Sequence, residues 1–149
     1  CTVAHDTEMG SNCSVGPMAN FRPGSKIGNK VKVGNFVELK EASLGDNTAA
    51  SHLSYIGDAE VGKNVNIGCG FVTCNYDSTV REGRRKHRSI IGDNVFIGSD
   101  SQVVAPIQIA AGTFIASGST VTESVNDPDS LVVARTRQVT KPGYAKKYR

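Results

Sequence analysis

The chain has 149 residues, the size of one domain, and its nine aromatic residues, absent Trp and 16 Gly exclude a core built around large rings. Seventeen Lys and Arg against fourteen Asp and Glu leave a formal charge of +3, which excludes a histone-like polycation and an acidic tail protein. No run of 18 apolar residues exists, so no membrane-spanning helix and no membrane partner are expected. The chain opens at Cys1 without Met or a leader-like stretch, and a cut or processed chain that has lost a neighbouring domain is expected. Cys1, Cys13, Cys69 and Cys74 form no Cys-x-x-Cys pair, so they read as reduced packing thiols of a cytoplasmic protein.

From the N-terminus the dominant signal is a period of six. It runs through Val3, Met9, Val15, Phe21, Ile27, Val33 and Leu39, then shifts by five to Leu44, Ala50 and Ile56. A second shift of five gives Val61, Ile67 and Thr73, and the period resumes through Ile91, Ile97, Val103, Ile109, Ile115 and Val121. Eighteen of these nineteen positions are apolar, and Gly follows ten of them. Four residues after the aliphatic come small or β-branched side chains such as Ala19, Ser25, Val31, Thr48, Val65 and Ser101. An inward aliphatic, a turn-permissive residue and a second small inward residue describe a short strand and a corner. A helix is excluded, because a period of six does not keep one helical face. Three sixes make one triangular coil, and stacked coils bury a continuous aliphatic column. The expected fold is all-β: a parallel β-helix of hexapeptide repeats over 3–126, followed by a short irregular tail over 127–149.

Two segments leave the period. The stretch 77–90 is expected as a loop thrown out from one corner; its basic part, Asp77–Arg88, holds Arg81, Arg84, Arg85, Lys86 and Arg88 against Asp77 and Glu82. The tail carries Arg135, Arg137, Lys141, Lys146, Lys147 and Arg149 with no acid. Neither has interleaved aromatics or a recognition motif, so nucleic acid is not an expected partner. A basic edge suits a phosphate-rich small molecule.

Stacking the coils on their register gives three columns of outward residues. One reads Asn35, His52, Cys69, Ser99 and Ser117, with no charge and three very small side chains. The other two read Asn29, Asp46, Lys63, Asp93, Ala111 and Glu41, Asp58, Asn75, Ala105, Glu123, with three charges each. One edge therefore carries a shallow neutral groove with a histidine near one end. His52 to Ser117 spans three coil steps, about 14 Å, which suits a thin extended ligand such as a pantetheine arm. The same register puts Tyr55 over Glu38 and gathers Asn35, Glu38, Lys40, His52 and Tyr55 into one neighbourhood.

The segments NFRPGSKIG, VGNFVELKEASLG, SHLSYIGDAEVGKNVNIGCGFVTCNYD, IIGDNVFIGSDSQVVAPI and LVVARTRQ resemble the C-terminal half of the bifunctional bacterial N-acetylglucosamine-1-phosphate uridyltransferase/glucosamine-1-phosphate N-acetyltransferases. The resemblance covers about Asn20 to Arg137, and no Gly-rich nucleotide loop of the uridyltransferase half is present. It implies a left-handed coil, a homotrimer, and acetyl transfer from acetyl-CoA to glucosamine 1-phosphate for UDP-N-acetylglucosamine and peptidoglycan precursor synthesis, with no metal needed.

It also implies roles. His52 matches the proton acceptor, since an amine must be neutral to attack a thioester, and Glu38 the carboxylate that orients it. Arg22, Lys40, Tyr55 and Asn66 match the sugar-phosphate contacts. Cys69, Asn75, Tyr76, Ser99, Ser117 and Arg135 match the acetyl-CoA contacts, with Arg135 on a CoA phosphate and either Asn75 or Tyr76 donating to the oxyanion. Cys69 and Ser117 stand where the family usually has alanine, and Cys69 is expected to confer sensitivity to thiol reagents. The loop after Asp77 is about five residues longer than is common, and no site residue is assigned within it. Rival readings are another acyltransferase on the same scaffold, a zinc hydratase, and a non-catalytic trimeric scaffold. The hydratase needs three convergent histidines, whereas His5, His52 and His87 lie at an end, a corner and a loop.

Overall fold

A computed structural model of the chain describes residues 1–80, 83, 85–144 and 146. Arg81, Glu82 and Arg84 of the basic loop and Lys147 and Arg149 of the tail lie outside the described residues. Among the described residues the strands are β1 (Thr2–Val3), β2 (Glu8–Met9), β3 (Ser14–Val15), β4 (Asn20–Phe21), β5 (Lys26–Ile27), β6 (Lys32–Leu44), β7 (Ala49–Val61) and β8 (Asn66–Ile67). They continue with β9 (Val72–Cys74), β10 (Ser89–Ile91), β11 (Phe96–Ile97), β12 (Gln102–Val104), β13 (Ile107–Ile109), β14 (Phe114–Ile115), β15 (Thr120–Val121) and β16 (Leu131–Val132). All belong to one sheet, and every strand pair is parallel, as in β1–β4–β6–β7–β8–β11–β14–β16 along one path. The fold is a parallel β-helix. No helix among the described residues is long and apolar enough to cross a membrane.

The hexapeptide period maps directly onto burial. From Phe21 to Val121 every period position is buried, while Val3 and Met9 of the first coil are exposed. Each fully buried Val or Ile contributes about 1.5–3 kcal/mol. The second inward position takes the small residues Ala19, Ser25, Thr48, Ser101, Thr113 and Ser119, all buried. Corners are turned in the left-handed region, chiefly by Asn and Asp such as Asn12, Asn47, Asn64, Asn94 and Asp100. The Gly after the aliphatic lets adjacent coils close up: a Cβ at Gly68 would lie 2.6 Å from the Ser99 amide nitrogen.

The strands β6 and β7 run for 13 residues each and bend through two corners apiece, at Phe36 and Glu41 and at Leu53 and Asp58. Their register pairs Asn35 with His52, Glu38 with Tyr55 and Lys40 with Gly57. Thr73, the single polar period residue, is buried, and its hydroxyl accepts the Gly57 N–H at 2.7 Å.

The basic loop is a short antiparallel ribbon over its described part. Tyr76 bridges Lys86, the Asp77 N–H donates to the Arg85 carbonyl, and the His87 N–H donates to the Asn75 carbonyl. Asp77 closes the turn by accepting the Thr79 hydroxyl and N–H, contacts that hold its carboxyl below the usual range. The coil resumes at Ser89, which pairs with Ala59 and Ile107, inside the stretch 77–90 expected as loop. It also runs past the expected limit at 126. Asp127–Ser130 make a turn, and β16 then pairs with β14 and carries half-buried Val132 against the core. The last ladder bond joins the Thr120 N–H to the Ala134 carbonyl.

Candidate active site

The neutral groove follows from the strand register. Ala50 pairs with Ile67, Ile67 with Ile97 and Ile97 with Ile115, so the residues two positions on form a column of His52, Cys69, Ser99 and Ser117. Bonds from Asp100 N to the Cys69 carbonyl (2.7 Å) and from Gly118 N to the Ser99 carbonyl (2.8 Å) hold it. The column runs beside a corner whose left-handed residues are Met18, Phe36, Leu53, Gly70, Asp100 and Gly118. The first three present large exposed side chains and Gly70 presents none, so an apolar ridge ends at the coil of His52. Past the ridge lies a cavity of about 330 Å³ lined by Phe36, Glu38, Leu53, Ser54, Tyr55, Gly70 and Val72. Beyond Ser117, the exposed side chain of Arg135 passes Gly118 at the far end of the groove.

Around the corner from His52 the charges gather. Arg22 follows Phe21, which pairs with Leu39, so Arg22 lies one coil from Lys40, and Gly57 lies one coil beyond that. Gly57 leaves a slot, into which Tyr55 and Asn75 turn. A Cβ there would overlap the Tyr55 hydroxyl and lie 2.8 Å from Asn75 Nδ2. The loop ribbon brings Lys86 to the Lys40 ammonium. That contact, partial burial and the Arg22 charge lower the Lys40 pKa, whereas the same contact favours the proton on Lys86. Asp58 faces both lysines and opposes their repulsion. Three cations converging on one half-buried spot are arranged to receive an anion with several oxygens.

Arg22, Glu38, Lys40, Tyr55 and Asn75 are thus brought into one cluster, while the His52, Cys69, Ser99, Ser117 and Arg135 groove lies on the adjoining face. Glu38 accepts a hydrogen bond from Arg22 Nη1 at 2.9 Å rather than one from His52. The His52 imidazole is exposed, with no side-chain bond among the described residues. Tyr76 is exposed beside Lys86. Asn66 stands apart on a flat side between Ala49 and Phe96, next to the stacked rings of Phe96 and Phe114. Sequence reasoning missed Lys86 and Asp58. Lys86 has no period to announce it. Asp58 sits beside Asn75 in a column that reads as plain charged surface.

Residues 88–123 match the model of the bacterial transferase hexapeptide repeat family. The chain is 53% identical over 148 residues, 99% of its length, to the bifunctional protein GlmU of Trichlorobacter lovleyi, and covers 31% of that protein. It is 52% identical over 149 residues to the GlmU of Thermodesulfovibrio yellowstonii and 50% over 146 residues to that of Staphylococcus epidermidis, covering 32% and 31% of them. An N-acyltransferase from Bacillus cereus, AntD, solved with dTDP and coenzyme A, shares the fold at a TM-score of 0.74 and 20% identity, over 95% of this chain and 87% of that one. A GDP-perosamine N-acetyltransferase from Caulobacter crescentus, solved with CoA and GDP-perosamine, aligns at 0.66 and 18% identity, over 79% and 52%. Fold and repeat together define a parallel β-helix of hexapeptide repeats, and the family match lies within it. The chain is similar to the C-terminal region of the GlmU proteins, and it spans about a third of the length of the relatives it matches.

Proposed function

We propose that this chain transfers the acetyl group of acetyl-CoA to the amine of glucosamine 1-phosphate, giving N-acetylglucosamine 1-phosphate for UDP-N-acetylglucosamine and cell-wall precursor synthesis. The observation that carries the reading is the meeting of two surfaces at one corner. A three-cation cluster of Arg22, Lys40 and Lys86 adjoins a neutral groove that starts at His52 and ends at Arg135. The pantetheine arm runs along Cys69, Ser99 and Ser117, and Arg135 pairs with a CoA phosphate. The sugar phosphate is held by Arg22, Lys40 and Lys86, with Tyr55 against the ring. His52 takes a proton from the amine, whose nitrogen attacks the thioester carbon. The tetrahedral oxyanion is met by the Tyr76 hydroxyl, the intermediate collapses, and the CoA thiolate leaves and is protonated. As Arg22 turns to the phosphate it releases Glu38, which is then free to orient the His52 imidazole. The flat side with Asn66 and the exposed Phe96 and Phe114 rings is the face of a closed threefold assembly, in which Asn66 reaches a neighbouring copy's substrate. The setting is cytoplasmic.

The test is thiol release from acetyl-CoA with glucosamine 1-phosphate, glucosamine and UDP-glucosamine in parallel. Turnover that demands the 1-phosphate is expected, and equal turnover of unphosphorylated glucosamine overturns the cation cluster as the acceptor site.

A further inference from the structure

Asp58 is a buried carboxylate to which the proposed transfer gives no task. It occupies a left-handed corner (φ 47°) with 7% of its surface exposed. Its Oδ2 accepts a hydrogen bond from Asn75 Nδ2 at 2.6 Å, and its charge favours the ammonium forms of Lys40 and Lys86. A carboxylate beside two cations is an acceptor only. The atom of the Asn75 amide that approaches it must therefore be nitrogen, which fixes an orientation that packing alone leaves ambiguous. The same Nδ2 lies 3.4 Å from the Tyr55 hydroxyl, so both amide hydrogens are directed into the protein. What the Asn75 side chain offers a ligand is its amide oxygen, Oδ1. That oxygen has no hydrogen-bond partner among the described residues and is not sealed in, because the one fully buried side-chain polar atom without a partner there is Ser89 Oγ.

A hydrogen-bond acceptor at this point has a chemical consequence. An amine that attacks a thioester gives one proton to the base and keeps at least one N–H, which grows more acidic as the nitrogen becomes positive. A hydroxyl gives up its single proton and keeps none. We infer that Asp58 is a positioning residue: it locks the Asn75 side-chain amide with Oδ1 toward the acceptor, so the site selects an amine over a hydroxyl. This rests on the acetyl transfer proposed above and explains why Asn75, one of two expected oxyanion donors, serves the acceptor nitrogen instead.

Asp58→Asn keeps the size and the tolerance of a left-handed corner, so the fold is retained, but it lets the Asn75 amide turn over. Two readouts on the full chain test the lock. In ¹H–¹⁵N spectra, the Asn75 side-chain pair (identified by its loss in Asn75→Ala) has one proton shifted downfield by the carboxylate, and Asp58→Asn returns it toward the ordinary range. In titration calorimetry the native chain prefers glucosamine 1-phosphate over glucose 1-phosphate by at least about tenfold, as expected for one hydrogen bond from a charged donor. That preference falls to near unity in Asp58→Asn and in Asn75→Ala, and the double variant is no worse than Asn75→Ala. Absence of the downfield proton overturns the lock, and so does a preference that survives Asp58→Asn. If proton shift and preference are both present while thiol release is absent, the acetyl transfer fails and the lock stands.

Discussion

A methyl group at Gly57 separates the site from the scaffold beneath it. The Gly57 backbone is not left-handed, so Gly57→Ala needs no change of chain path, and its N–H keeps the Thr73 hydroxyl as partner. The added Cβ would overlap the Tyr55 hydroxyl and approach Asn75 Nδ2 to 2.8 Å. Both are side-chain ends, so they yield by rotating, and restoring ordinary contact moves the Tyr55 hydroxyl by about 1 Å. A misplacement of about that size costs about a hundredfold in rate, or about 2.7 kcal/mol of transition-state stabilisation. Stability responds far less. The lost entropy of the unfolded chain favours Ala by about 0.4–1 kcal/mol, which offsets the local repacking. Gly34→Ala is the contrast, because its Cβ would run into the Ser51 carbonyl, which is backbone, and a loss of about 1–3 kcal/mol is expected there. Thiol-release kinetics and thermal unfolding of both variants read the difference. A Gly57→Ala chain with kcat/KM within about threefold of native refutes the placement of Tyr55 and Asn75 in the site.

Phosphate binding is expected to take up protons. Lys40 is held below the usual lysine pKa by the Lys86 ammonium, partial burial and Arg22, and an anion between the two lysines restores its proton. Affinity for glucosamine 1-phosphate therefore falls as pH rises through the lowered Lys40 pKa. Calorimetry in buffers of different ionisation enthalpy counts the protons, and uptake that persists in Lys86→Met refutes the pair as its source. Alkylation is expected to inactivate the native chain, with acetyl-CoA protecting it and Cys69→Ala resisting it. Equal inactivation of Cys69→Ala moves the sensitive thiol to another cysteine, such as exposed Cys74.

The fold was legible because one geometric rule repeats. An inward aliphatic every sixth residue, reset twice by five, already set Asn35 beside His52 and Glu38 beside Tyr55, and the strand register has the same pairs. The groove column followed from that register. The third column also put Asp58 next to Asn75, but there three charges suggested solvent, since nothing in the spacing tells that Gly57 opens a slot into which Asn75 turns. Thr73 looked like a fault in the period, whereas its hydroxyl serves the Gly57 N–H at that slot. Lys86 was hidden for a different reason. Its place depends on how the ribbon after Asp77 folds back, which is set by the Asp77–Thr79 turn and not by any repeat. The Arg22–Glu38 pair is a choice between rotamers on an open face, below the resolution of any register argument. The coil beyond 126 escaped notice because the Asp127–Ser130 turn replaces a glycine corner and breaks the count.

The central claim is that His52, exposed where the cation cluster meets the groove, is the base of an acetyl transfer to a phosphorylated amino sugar. Its most direct test is thiol release from acetyl-CoA with glucosamine 1-phosphate by the native chain and by His52→Ala. The account predicts robust native turnover and a loss of about two to four orders of magnitude in the variant, with unchanged thermal unfolding. Turnover that survives His52→Ala contradicts it and moves the base elsewhere.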